Sequence, residues 1–189
     1  MLRTLRALLC GIAFSVVLAG CASGPETRAN YDKSVDFAQY RTFGFFEKLG
    51  TDASGYESLI TQQLKAATRR EMEARGYAFS TANPDLLVNF NASLAQQTRV
   101  SQSPTMYGGG YYGYRYGYYG GWSGYNTHVD QYVEGTLNID IVDPKRKQLV
   151  WEGVAVGRVT EKVQADRAAA IDAAVKEVFL KYPFRAGGG

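Results

Sequence analysis

Leu86, Val88, Phe90, Ala92 and Leu94 alternate with Leu87, Asn89, Asn91 and Ser93, the sharpest period-two run in the chain. The pattern predicts a strand with one apolar and one largely polar face, continuing toward Val100. Leu137, Ile139 and Ile141 alternate in the same way with Thr136, Asn138 and Asp140. A polar turn, Asp143-Pro144-Lys145-Arg146-Lys147, follows, and Leu149 to Val159 returns as the partner strand. Pairing Ile141 with Leu149 sets Ile139 opposite Trp151 and Leu137 opposite Gly153, a dense cross-strand apolar cluster. Gly153, Ala155 and Gly157 share that face, where their small size lets a helix approach closely. The aromatic run Tyr40 to Phe46 predicts a further strand at the start of the domain.

Two segments carry helical spacing instead. Tyr56, Ile60, Leu64, Ala67 and Met72 recur on one face down to Arg75. Ser54 and Glu57 fit a capping box before them, and Gly76 is placed to end the helix. Ala168, Ile171, Val175, Val178 and Tyr182 mark a second amphipathic helix, stopped by Pro183. The order is β-α-β-β-β-α. It predicts an α+β two-layer sandwich, with a four-stranded, antiparallel-rich sheet and two helices on one face. The other face would carry Asn89, Asn91, Asn138, Asp140 and Glu152, either as solvated sheet surface or as a ligand platform.

The beginning of the chain has a different character. Arg3 and Arg6 precede an apolar run from Ala7 to Val17, which ends in Leu18-Ala19-Gly20-Cys21. Basic start, short apolar segment and small residues make a secretory signal peptide. The run is shorter than the roughly 20 apolar residues a membrane span needs. Leu-Ala-Gly-Cys resembles the lipobox of bacterial lipoproteins. The resemblance implies cleavage before Cys21 and acylation of it by a diacylglyceryl group and an amide-linked chain. Several chains hold a protein on a bilayer where one would not. In the lipoproteins that this motif resembles, an aspartate after the cysteine tends to hold the protein in the inner membrane, so the resemblance with Ala22 implies the outer membrane of a Gram-negative envelope.

These boundaries divide the chain into a signal peptide over 1–20, a lipidated N-terminus and tether over 21–30, and one domain over 31–185. The loop at 104–126 lies inside that domain, and 186–189 form a flexible tail. Removing Arg3 and Arg6 lowers the formal charge from +3 to +1. A nearly neutral exported domain lacks the basic face that nucleic acid requires. Cys10 leaves with the signal peptide and Cys21 is committed to lipid, so the mature monomer has no disulfide. The expected membrane contact is the lipid anchor, and no other cofactor is indicated.

Several motifs occur in a fixed order: Asp36-Phe37 with Tyr40-Arg41-Thr42-Phe43, Arg75-Gly76-Tyr77, and Pro84-Asp85-Leu86-Leu87-Val88. Glu134-Gly135-Thr136-Leu137 with Ile139-Asp140, and Leu149-Val150-Trp151-Glu152-Gly153, complete the series. Together they resemble the bacterial lipoproteins of domain-of-unknown-function family 4136, from about Tyr31 to Pro183. The resemblance implies a two-layer α/β domain in the envelope. It brings no catalytic residue or cofactor with it.

Between Tyr107 and Tyr125 the chain is almost only tyrosine and glycine, with Arg115, Trp122 and Ser123. Neither helix nor strand is indicated there. Four readings stay open for this tract: a flexible loop without a ligand, a contact for an envelope protein or glycan, self-association, and docking at the membrane interface. Its candidate contact residues are Tyr111, Tyr112, Tyr118, Tyr119 and Trp122, flat rings with polar tips that suit stacking on sugar or protein surfaces.

No catalytic constellation or metal site is expected. Gly108, Gly110 and Gly113 match a dinucleotide fingerprint only formally, because no helix follows. Gly121-Trp122-Ser123-Gly124-Tyr125 misses the nucleophile elbow at its last position. A single histidine, His128, and no free cysteine make a structural zinc site implausible. The primary expectation is a non-enzymatic envelope lipoprotein with a structural or interaction role. A glycan-binding or peptidoglycan-binding module using the aromatic tract stands second. A hydrolase of envelope polymers using Asp130, Glu134 or Asp140 stands third.

Overall fold

A computed structural model describes residues 24–52, 56–105 and 124–188. The chain forms strand β1 (Glu26–Tyr31), a 3₁₀ turn (Phe37–Gln39), β2 (Thr42–Phe45), α1 (Leu59–Glu73), β3 (Ala78–Phe79) and β4 (Leu86–Thr105). It continues with β5 (Gly124–Asp143), β6 (Gln148–Arg158), α2 (Glu161–Ala165) and α3 (Arg167–Phe179).

The class is α+β, but the sheet has six strands rather than four, in the order β1-β6-β5-β4-β2-β3. The three pairings from β1 through β4 are antiparallel, and the β4–β2 and β2–β3 pairings are parallel. Two strands had no usable signal. β3 is only two residues long. β1 reads Glu-Thr-Arg-Ala-Asn-Tyr, almost wholly exposed, inside the stretch expected to be a tether. Its backbone ladder to β6 and one aromatic contact set hold it in place. Tyr31 packs edge-on to Phe184, with centroids 5.1 Å apart, and Phe184 stacks on Phe37 at 3.6 Å.

The core lies between the sheet and the helices. Leu86, Val88, Phe90, Ile139, Ile141 and Trp151 supply the sheet side; Leu64, Ala67, Met72, Val175, Val178 and Phe179 supply the helix side. Small residues on β6 do admit the helix: a Cβ built on Gly153 would overlap Val178 of α3 and the Trp151 ring.

The β5–β6 register differs from the expected pairing by two residues. Ile141 faces Trp151, Ile139 faces Gly153 and Leu137 faces Ala155. One residue of the offset arises at the turn, where Asp143 faces Gln148 and Val142 faces Leu149, and the second at a bulge that leaves Val150 as an extra residue. An even shift preserves the faces, so the expected apolar set still points into the core.

The first long helix begins later than expected. Ser58 caps it, accepting from the Thr61 amide at 3.0 Å, while Ser54 lies outside the described residues. Its C-terminus closes in a Schellman pattern. The Tyr77 amide donates to the Met72 carbonyl at 3.1 Å and the Gly76 amide to that of Glu73 at 2.9 Å. Gly76 takes φ +86°, which suits a residue without a Cβ. At the other terminus, the Ala186 amide donates to the Arg75 carbonyl and that of Gly187 to the Tyr40 carbonyl. The start of the segment expected as a flexible tail is therefore tied to the body.

β4 and β5 run well past the rest of the sheet. β6 follows β5 only as far as Glu134, opposite Arg158. Beyond it, β4 and β5 pair with each other out to Thr105 and Gly124. The described strands thus extend into both ends of the stretch expected as loop.

Candidate functional site

Two features stand apart from the packed core: the polar face of the sheet and the two-stranded ribbon. Strict alternation builds the first. Because Leu86, Val88 and Phe90 point into the core, Asn89 and Asn91 point out, and β5 and β6 follow the same rule. Asn30, Glu152, Asp140 and Asn89 form one row across β1, β6, β5 and β4. Arg28, Val154, Asn138 and Asn91 form the next. Glu26, Val156, Thr136 and Ser93 form a third.

Diagonal amides tie the rows together. Asn91 Nδ2 donates to Asp140 Oδ2 at 3.1 Å, and Asn138 Nδ2 donates to Glu152 Oε1 at 3.4 Å. The Gly50 amide donates to Asn89 Oδ1 at 3.2 Å, so the chain after β2 closes one side of the platform. Burial raises the Asp140 carboxyl above the ordinary carboxylate value, and the neighbouring Glu152 charge adds to the rise; the asparagine hydrogen bonds only partly oppose it. A shallow depression on this face is lined by Glu26, Arg28, Glu134, Thr136 and Val156.

The platform gathers Asn89, Asn91, Asn138, Asp140 and Glu152, all expected from the sequence. Sequence reasoning missed Glu26, Arg28 and Asn30, whose only signal was a short polar alternation with Thr27, Ala29 and Tyr31. Of the other carboxylates, Glu134 lines the depression at the edge of the platform, and Asp130 lies beyond it. Asp130 lies out on the ribbon and pairs with Arg158 at 3.0 Å. Glu134 accepts from Gln97 at 3.3 Å. Six residues of strand separate Glu134 from Asp140, about 20 Å. Two-carboxylate glycoside chemistry spans roughly 5–9.5 Å, a range the Glu134–Asp140 pair exceeds, whereas Asp140 and Glu152 are direct cross-strand neighbours. Among the described residues no group of three or more His, Cys, Asp or Glu side chains is placed to hold a metal ion. Chemically the platform offers amide donors and carboxylate acceptors, a set that suits hydroxyl-rich ligands.

The ribbon divides its residues just as strictly. Leu94, Gln96, Thr98 and Val100 of β4 share the core-side face with Val129, Gln131 and Val133 of β5. Leu94, Val100 and Val129 are each more than half exposed there. Arg99, Asp130, Tyr132, Glu134 and His128 take the opposite face. On that face the Arg158 guanidinium lies 3.8 Å from the Tyr132 ring centroid. Cys21, Tyr111, Tyr112, Tyr118, Tyr119 and Trp122 lie outside the described residues.

A family model described as "Domain of unknown function (DUF4136)" matches residues 27–184, most of the chain. No curated protein sequence matches it. Among solved structures, a PDZ domain protein from Parabacteroides distasonis is similar over 87% of this chain, with TM-score 0.56 and 17% identity. The chain spans only 36% of that structure. A PelC dodecamer from Paraburkholderia phytofirmans is similar over 85% of this chain and 98% of its own, with TM-score 0.45 and 8% identity. The first likeness is one of fold alone, and the second is too loose to carry an argument.

Proposed function

The chain belongs to the DUF4136 family, and we propose that it is an envelope lipoprotein, anchored through lipid on Cys21, with a non-enzymatic interaction role. The Leu18-Ala19-Gly20-Cys21 motif carries the reading. It is supported by the position of β1, which begins at Glu26, five residues after that cysteine. A domain so close to its anchor would work at the membrane surface. The test is metabolic labelling with a palmitate analogue in a Gram-negative host. Wild-type protein should take the label and fractionate with outer membranes, whereas Cys21→Ser should take none. An unmodified Cys21 in the mature wild-type protein would sink the reading.

The rows of amides and carboxylates favour a second reading, a binding module for glycan or peptidoglycan. Its contacts would then include the sheet platform as well as the aromatic tract. Retention on purified peptidoglycan that falls in Asn91→Ala and Asp140→Ala, with cooperative unfolding retained, would support it. Equal retention by wild type and both variants would remove the platform from consideration.

A further inference from the structure

Strand directions place the N-terminus and the ribbon at the same end of the molecule. β1 is antiparallel to β6, β6 to β5, and β5 to β4. The chain preceding Glu26 therefore leaves the sheet in the direction that β4 takes from Ser93 outward. Glu26 starts level with Ser93, because Glu26, Val156, Thr136 and Ser93 share a row. From that row the ribbon runs twelve residues to Thr105, about 40 Å. The five residues from Glu26 back to Cys21 reach at most about 18 Å, even fully extended.

An acylated Cys21 would hold the membrane nearer to the sheet than the far end of the ribbon. A ribbon standing upright would then enter the hydrocarbon, which is about 30 Å thick. It cannot do so at low cost. Beyond Val133, whose carbonyl still accepts from the Val159 amide, neither strand has a third partner among the described residues, so unpaired backbone amides and carbonyls run along both edges. Open edges of this kind are not tolerated in lipid. The ribbon has to incline and rest in the headgroup layer.

Its two faces are not equivalent for that contact. The face bearing Arg99, Asp130, Glu134 and His128 carries charge of both signs, and part of it is already engaged with Arg158. On the face of Leu94, Gln96, Thr98, Val100, Val129, Gln131 and Val133 there is no charged residue, and it exposes three aliphatic side chains. Resting that face on lipid removes apolar surface from water without desolvating an ion.

We infer that the β4–β5 ribbon is a second membrane contact, lying on the surface of the bilayer that holds Cys21, with Leu94, Val100 and Val129 turned into the headgroup layer. The inference rests on the lipoprotein reading above. Its occupant is a lipid surface because the short tether delivers one to that end of the molecule.

The test uses the acylated full chain in phosphatidylethanolamine/phosphatidylglycerol vesicles. Val100→Cys, Ser101→Cys and Leu180→Cys each carry an environment-sensitive fluorophore, with lipid-borne nitroxide as quencher. All three positions are exposed. Val100 and Ser101 are adjacent residues on opposite faces of the ribbon, and Leu180 follows α3 at the other end of the sheet. Val100 should lose more than about half its emission, Ser101 much less and Leu180 none. If Val100 is no more quenched than Leu180 in vesicle-bound, acylated protein, the ribbon contact is wrong and the anchor stands. Stronger quenching at Ser101 than at Val100 would overturn the choice of face. Protein recovered without acyl chains would remove the anchor, and this inference with it.

Discussion

The Tyr40 hydroxyl donates to Asp143 Oδ2 at 2.8 Å, a buried hydrogen bond between residues 103 apart in the chain. It ties the 3₁₀ turn before β2 to the β5–β6 hairpin. Asp143 Oδ1 also accepts from the Lys145 and Arg146 amides, at 2.8 and 3.0 Å, which sets the turn itself. One carboxylate thus shapes the hairpin and docks it.

Tyr40→Phe should cost about 1–3 kcal/mol, since a buried carboxylate loses a donor. Burial alone would raise the Asp143 pKa, but the Arg146 amide, the Tyr40 hydroxyl and the Lys145 amide outweigh it and hold it below 3.8. A lowered carboxyl pKa stabilises the fold above about pH 3.8 and ceases to do so as pH falls through the lower folded value. The deficit of Tyr40→Phe in urea unfolding should therefore be full at pH 7 and shrink on acidification. Burial and Asp143 push Tyr40 up to about 12, so the wild type should also lose stability from pH 10 to 12. Phenylalanine would remove that contribution.

Asp140→Asn should behave in the opposite sense. The folded Asp140 carboxyl lies above its ordinary 3.8, through burial first and the Glu152 charge second. A raised carboxyl pKa means that wild-type stability falls as pH rises from 3.8 through the folded value. Asparagine keeps an acceptor for Asn91 and removes the charge. Calorimetry at pH 7 should show a higher Tm for the variant, with the gap closing below pH 3.8. A lower Tm at pH 7 would contradict this account.

Gly153→Ala should destabilise by about 1–3 kcal/mol, as overpacking does in a dense core. The new methyl would overlap Val178 and the Trp151 ring. Val178→Ala in the same chain should recover part of the loss, and a double-mutant cycle in denaturant measures that coupling.

Arg75→Lys should cost about 1–2 kcal/mol despite keeping the charge. The guanidinium reaches the Glu71 carbonyl at 2.8 Å, the Glu71 carboxylate at 2.7 Å and the Phe179 carbonyl at 2.7 Å. It bridges the C-terminal ends of α1 and α3, where free carbonyls concentrate. An ammonium cannot span both helices at once. Thermal unfolding of Arg75→Lys beside Arg75→Met would separate fork geometry from charge.

Much of the platform is legible in the sequence. Asn89 and Asn91, Asn138 and Asp140, and Glu152 fall on one face because strand side chains alternate with period two. Shifting the β5–β6 register by two residues leaves that assignment intact. Arg28 and Asn30 were hidden because an exposed edge strand needs no apolar alternation. Only its ladder to β6 and the packing of Tyr31 reveal it. Ser58 rather than Ser54 starts the helix because local capping motifs compete, and the Ser58 hydroxyl is placed to donate to the Thr51 carbonyl or to the Thr61 hydroxyl.

The sequence by itself determined the composition of each face, the two long helices and the α+β class. These follow from periodicity and short-range chemistry, which neighbouring residues carry. Tertiary structure alone decided the six-strand order, the bulge at Val150 and the Tyr40–Asp143 bond. It also decided that the N-terminus and the ribbon leave by the same end. Those depend on which backbone ladders form between segments far apart in the chain. A ladder contributes the same amide and carbonyl groups whatever the side chains are, so its partner is chosen by the packing of the whole domain.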